Sequence, residues 1–418
     1  MKNFIIRDDR LTEKERRNLS ILDAIRKGKQ ISRADISKNI DLNIVTVSNY
    51  ISRYIKKQLV FETGLDISTG GRRPELLRLN EKYAYTIGID LGSQDFTADT
   101  NIVAVLLDIT GKVICKEKIK KEKESFDKLS DKVLNITELL IRKSGISTSD
   151  IKGIGVGVWG IIDRYRSMIR YNTEEEQIIN YANLLDRLET TFGVSVLVEH
   201  DAMLAAFGEK WSGMGITNDV ENFIFLCADS SCGIIIKNEL YFGSTKNAGE
   251  MNLNPPINDN SDKCWEDYKF GCCLRSKGID LGLLKNFKDY INNNSTEDIK
   301  SLVLSKVAGD MKNINFDCIN ELVESGDEFS IKILKEAGEY LGVKIAFLVN
   351  FLNPEIVIIG RGIEKLHNVF FSALRKSIRK WAYEESVKVV KIVPTSLEED
   401  VVAVGAAALV MQKFFTKI

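Results

Sequence analysis

Between residues 31 and 80 the period of the apolar positions changes from helical to strand-like. Ala34, Ile36 and Ile40, then Ile44, Val47, Ile51 and Ile55, fall at helical spacing, and each segment has a polar residue available to start it. The spacing predicts two short helices joined by a tight turn, in the order "ISRADISKNI", "DLN", "IVTVSNYISRYIKKQ". The stretch that follows, "LVFETGLDISTGGRRPELLRLN", reads as two strands around a Gly-rich tip.

From Tyr83 the pattern becomes β-branched runs alternating with amphipathic stretches. Strands are expected in "YAYTIGIDLG", "NIVAVLLDITGKVICKEKIK", "KGIGVGVWGIID", "VSVLVEH", "NFIFLCADSSCGIIIKNELYFG" and "PEIVIIG". Helices are expected at about 125 to 144, 182 to 192, 201 to 212, 328 to 352 and 364 to 382. This is an α/β pattern. A strand hairpin opens it and a second begins about 130 residues later, which predicts two related lobes with a cleft between them. The expected domains are residues 1–80 and 81–418.

Helix pair, turn and hairpin together read as a winged helix-turn-helix. The second helix would present Thr46, Ser48, Asn49 and Arg53 away from its apolar face, with Ser32 and Arg33 at the start of the first. Small polar and basic side chains suit base edges and phosphates. Arg72 and Arg73 at the hairpin tip suit a narrow, electronegative minor groove. The competing reading is a small helical domain that packs against a partner protein and carries a solvated basic loop. Charge favours DNA: residues 1–82 hold 18 Lys+Arg against 11 Asp+Glu, and the rest hold 40 against 48. A basic end of +7 thus precedes a body of −8, an asymmetry that the total of −1 conceals.

A chain of 418 residues with 44% hydrophobic content exceeds one core and fills two or three. No apolar run reaches the roughly 18 residues that span a bilayer. The charged N-terminus lacks the apolar centre of a leader, so cytoplasm is the expected location. Seven scattered cysteines make no disulfide framework and read as core thiols.

The ordered set "GGRRPELLRLN", "IGIDLG", "GIGVGVWGIID", "VLVEHDAMLAAFGEKW", "NAGEMN", "NPEIVIIGRGI" and "AVGAAALV" resembles the ROK family of repressors, open reading frames and sugar kinases, and within it the DNA-binding repressors. The resemblance runs from about residue 12 to residue 415. It implies an actin-like ATPase (ribonuclease H-like) body of two lobes with a sugar in the cleft, and a homodimer or homotetramer.

Carried over by position, Asp201 falls on the residue that in family kinases takes the sugar hydroxyl proton. Its plainer reading is a helix N-cap. His200 stands in place of an Asn and could meet an anionic ligand such as a sugar phosphate. Glu250 matches a carboxylate that accepts sugar hydroxyls, and Asn172 is a further ligand candidate; a solvated loop acid is the alternative for Glu250.

The phosphate loops depart from the family. Ser93 and Gln94 replace a Gly-Thr pair after Asp90 and Gly92; in "CADSSCGIII" only Gly233 remains and Asp229 opposes phosphate; Arg361 interrupts the glycines of "GRGI". No ATP is expected as a cofactor and no kinase activity. Nor is the family's structural zinc expected, because Leu253 occupies the His position and Cys264, Cys272 and Cys273 lack the required spacing. Arg275 in the same segment would favour a more acidic ligand.

The leading expectation is a non-enzymatic transcriptional regulator, a repressor of carbohydrate-utilisation genes, that binds operator DNA under control of a sugar or sugar derivative. The alternatives are an ATP-dependent sugar kinase with an added DNA-binding module, and a regulator that answers to a protein partner.

Overall fold

The computed structural model describes residues 11–65, 75–92, 101–121, 125–170, 178–213, 220–228, 230–251 and 280–418. Its N-terminal module starts with a helix that the periodicity reading did not pick out, α1 (Glu13–Gly28), held by a capping box between Thr12 and Glu15. Strand β1 (Ile31–Ser32), helices α2 (Arg33–Asn39) and α3 (Ile44–Lys56) and the hairpin β2 (Val60–Leu65) and β3 (Glu75–Leu79) follow. The three strands pair antiparallel in the order β1-β3-β2. Ile21, Leu22, Ile25, Ile36, Val47, Ile51 and Tyr54 fill the space between helices and sheet. Tyr54 donates its hydroxyl to Asn18 at 2.7 Å, which satisfies the polar end of a buried ring. Two positions assigned to the apolar faces, Ala34 and Ile44, are exposed instead.

The body is built from two sheets of matching topology. The first comes from β4 (Tyr85–Asp90), β5 (Asn101–Asp108), β6 (Val113–Lys120), helix α4 (Phe126–Ser144) and β7 (Ile151–Val158). A small sheet of β8 (Ile161–Asp163), β9 (Met168–Arg170) and β10 (Ile178–Asn180) is inserted before α5 (Ala182–Phe192), β11 (Val196–His200) and α6 (Asp201–Ser212). The order is β11-β7-β4-β5-β6, with β4-β5-β6 antiparallel and β4-β7-β11 parallel.

The second sheet repeats this. Strands β12 (Phe223–Cys227), β13 (Ser231–Ile236) and β14 (Glu239–Leu240) form the antiparallel run. Helices α7 (Leu283–Asn293), α8 (Glu297–Lys306), α9 (Phe316–Glu324) and α10 (Glu328–Leu352) lead to β15 (Ile356–Gly360), and α11 (Asn368–Trp381) and α12 (Glu384–Val389) lead to β16 (Lys391–Pro394). The order is β14-β13-β12-β15-β16, with β12-β15-β16 parallel. The expected helices at 125, 182, 201 and 328 are present; the one expected from 364 begins at Asn368; α7, α8 and α9 had no counterpart among the predicted elements.

The chain ends in α13 (Val401–Thr416), which returns to the first sheet and crosses α6. Its small residues are what permits this. A Cβ on Gly405 would lie 1.8 Å from the Leu204 carbonyl oxygen, and one on Gly88 of β4 would lie 1.8 Å from that of Ala403. Backbones this close leave no room for a side chain. The motif "AVGAAALV" is therefore a packing surface between α13, α6 and the first sheet.

Candidate functional site

Three carboxylates and two cationic side chains meet where the two halves face each other. Asp90 is the last residue of β4, buried, and accepts the Gly92 N–H at 2.9 Å through Oδ1. Arg361 follows β15 of the second half. Its Nη1 donates to Asp90 Oδ2 at 2.5 Å and its Nη2 to Asp201 Oδ2 at 2.6 Å. One guanidinium thus bridges both halves, bound at each end by a charge-assisted hydrogen bond. Burial works against the charge on Arg361, but the two carboxylates outweigh it and hold the cation firmly protonated. At Asp90 the order is reversed: burial raises the carboxyl pKa, although Arg361 opposes the shift.

Asp201 is not the N-cap that its position before "AMLAAFGEKW" allowed. That place belongs to His200, and Asp201 is the first residue of α6, with its Oδ2 turned to Arg361. His200 Nε2 lies 2.9 Å from Glu250 Oε1 and its Nδ1 lies 3.3 Å from Asp201 Oδ1. The Ala202 N–H also faces Nδ1 at 3.3 Å, but it has a nearer acceptor in Asp201 Oδ1 at 2.7 Å. Nδ1 caps α6 by accepting the Ala202 N–H and also faces the Asp201 carboxylate. Burial alone would push the imidazole pKa down; the hydrogen bond to Glu250 and the charges of Asp201, Glu250 and Glu199 reverse this and raise it to about 9.

Glu250 is placed by its backbone. It forms an isolated bridge with Ser231, and Gly249, at φ +98°, brings its carbonyl to the Cys232 N–H at 2.8 Å. A Cβ there would lie 1.8 Å from the Cys232 carbonyl oxygen, so only glycine permits the approach. Gly233, the one glycine kept in the expected second phosphate loop, serves packing: its Cβ would meet the Ala202 carbonyl oxygen of α6 at 2.1 Å.

Three features were missed at the sequence level. Arg361 was read as an interruption of a glycine loop, whereas its charge is the centre of the Asp90–Asp201 bridge. Glu199 is buried beside His200 and ion-paired to Arg164 of the inserted segment, leaving Glu199 Oε2 and the Ser231 hydroxyl without a partner among the described residues. Trp159, just after β7, packs against the apolar clusters of both halves.

In the N-terminal module, Asn49 and Arg53 are exposed on α3 and Thr46 and Ser48 are half-buried; the Arg53 guanidinium lies over the Tyr50 ring at 4.2 Å. The expectation for Ser32 is corrected. It is buried and caps α2, accepting the Asp35 N–H at 3.1 Å and donating to Asp35 Oδ2 at 2.6 Å, so no DNA can reach it. Arg33 is held between Glu62 of β2 at 2.5 Å and Glu75 of β3 at 3.3 Å, where it ties α2 to the hairpin. Arg72, Arg73, Ser93, Gln94, Asn172, Asp229, Leu253, Cys264, Cys272, Cys273 and Arg275 lie outside the described residues. Among the described residues no cluster of His, Cys, Asp and Glu could hold a metal ion, and no helix is long and apolar enough to cross a membrane.

The ROK family profile matches residues 86–413, from the first body strand into the last turns of α13. The chain belongs to the ROK family. A xylose repressor of Caldicellulosiruptor bescii is 31% identical over 412 residues, covering 95% of this chain and 96% of its own. A solved ROK family transcriptional regulator, a homologue of the E. coli MLC protein, matches with TM-score 0.71 at 19% identity and covers 96% of this chain and 97% of its own. A ROK family glucokinase of Streptomyces griseus, solved with glucose and AMPPNP, matches with TM-score 0.59 at 24% identity over 78% of this chain and 99% of its own. The ROK body accounts for the kinase-like part. The module ahead of Thr86 precedes the family profile.

Proposed function

We propose that the protein is a sequence-specific DNA-binding regulator of carbohydrate-utilisation genes, acting as a repressor, whose N-terminal module is a winged helix-turn-helix and whose two-lobed, actin-like body binds a sugar without phosphorylating it. The observation that carries this reading is the near full-length match to a xylose repressor, which runs through the N-terminal module as well as the body. The α2–turn–α3 arrangement over a three-stranded sheet, with Asn49 and Arg53 exposed, supports it.

Asp201 supports the non-enzymatic reading. A general base must be free to accept a proton from the sugar hydroxyl, and here its Oδ2 is bound to a permanent cation. Three carboxylates surround the His200 imidazolium, so the local field disfavours a sugar phosphate and suits the hydroxyls of a neutral sugar. Glu250, partly exposed, is the acceptor for sugar hydroxyls, with Trp159 as the apolar wall. No zinc and no ATP take part in this reading. Dimers or higher homo-oligomers would read a palindromic site in the cytoplasm.

The test is a salt-resolved titration of the full-length protein on its own upstream DNA against a scrambled duplex, with and without D-xylose as the first ligand. Selectivity of about 10³-fold or more, altered by the sugar, is the expected result. Equal, weak and steeply salt-dependent binding to both duplexes would sink the regulator reading.

A further inference from the structure

Helix α3 buries Val47, Tyr50, Ile51 and Tyr54, the i, i+3, i+4, i+7 set that anchors it in the module. Its first turn departs from this economy. Ile44 is 42% exposed and Val45 is 63% exposed, while Asn43, ahead of them, caps the helix by accepting the Val45 N–H at 2.8 Å. A β-branched side chain left in water at a helix start contributes nothing to the module's core. Asn49 lies one turn along from Val45 on the same face and is exposed, and Arg53 follows it one further turn on. The exposed face of α3 therefore reads, from its N-terminus, apolar, amide, cation, on a segment whose net charge is +7.

The amide and the cation match DNA, and the apolar start has one complement on it. In the major groove adenine, guanine and cytosine present donors and acceptors, and thymine alone presents a methyl group. An isopropyl group pressed on any other base edge would strip water from polar atoms and return no hydrogen bond. The first residues of a recognition helix are the ones that reach base edges. We propose that Val45 is a specificity-determining residue that reads the 5-methyl group of a thymine in each half-site, with Asn49 on the same face positioned for a neighbouring adenine. This rests on the DNA-reading function proposed above.

The test keeps failure of that function separate. The full-length protein is first used to select a site from a pool of randomised duplexes; enrichment of no site would overturn the DNA-reading function and this proposal with it. On a selected site each thymine is then replaced in turn by deoxyuridine, which removes only the methyl group. The expected result is one position per half-site where affinity falls roughly three- to tenfold, the scale of one buried methyl. In Val45→Ala the same replacement has no further effect, and Val45→Thr, which keeps one methyl, is intermediate. Val45 is solvent-exposed, so unchanged thermal unfolding of both variants is expected. Loss of no affinity at any thymine, or undiminished sensitivity in Val45→Ala, overturns the proposal. A change in oligomeric state with unchanged DNA affinity would also overturn it, by assigning the patch to a second copy of the chain.

Discussion

The Arg361 guanidinium donates to Asp201 at 2.6 Å from the opposite half of the body, and the same group holds Asp90 at 2.5 Å. A cation supplied by the chain thus sits between two carboxylates where the two halves meet. It ties α6 to the ends of β4 and β15 and gives the Asp201 carboxylate a cationic partner.

Arg361→Met should destabilise the protein by about 3–5 kcal/mol, because it strands two buried carboxylates. Adding Asp90→Asn and Asp201→Asn should recover part of the loss, giving a coupling of about 0.5–3 kcal/mol in chemical denaturation. Additive effects would contradict the bridge.

The His200 imidazole titrates at about 9 in the folded protein, above its unfolded value of about 6.5. A raised folded pKa contributes stability that is complete below the unfolded value and is lost as pH rises through the folded one. The wild-type advantage over His200→Asn should therefore be full at pH 6 and fade between about 6.5 and 9. Lys210, lowered to about 8 by burial and then by the nearby charge of Lys27, slopes the opposite way, so the difference between the two unfolding profiles is the measurement to make.

On the proposed function, Glu250→Gln should weaken sugar binding by about tenfold or more in calorimetry and leave DNA affinity nearly unchanged, since one acceptor is lost and the His200 pairing is weakened. Equal loss of both activities would indicate a folding defect and remove the ligand role.

Helix α6 carries the site at one end and Trp211 at the other, where Arg26 of α1 lies over the indole at 3.9 Å and donates to the Trp211 carbonyl at 2.7 Å. Asp23 holds the other edge of the guanidinium at 2.7 Å. Arg26→Met should reduce the effect of sugar on DNA affinity, a coupling of typically 1–3 kcal/mol, with each binding reaction retained when measured alone. Undiminished coupling would exclude this contact as the route.

Gly405→Ala should be among the most damaging single-methyl additions, because its Cβ has a carbonyl oxygen at 1.8 Å and both helices are fixed by the core. Gly193→Ala is the contrast. It has open space around it but a φ of +66°, so its cost is the left-handed backbone alone, about 1 kcal/mol. A similar drop in melting temperature for both would refute the close crossing.

Much of the fold is local and therefore legible. The β-branched strands of the two hairpins and the helices at 126, 182, 201 and 328 follow from patterns within each segment, and the N-terminal module from the closeness of its parts in the chain. Val45 was readable as an apolar residue beside the helix start, but burial decides whether such a residue is core or surface, and burial is not a local quantity. Ser32 shows the same limit: a small polar residue ahead of a helix suits a phosphate and a cap equally well until its neighbours are known.

The sequence by itself determined the types of most elements, the basic module ahead of an acidic body, and His200, Asp201 and Glu250 as candidates. Only the tertiary structure decided what these residues do to one another. Arg361 lies 160 residues from Asp201 and 271 from Asp90, so no period or motif joins them; two separate sheets must fold and dock before the three charges meet. The same docking places Glu250 on His200. Charge pairing at 2.5 to 3 Å is set by the meeting of distant backbones, and that is a property of packing rather than of pattern.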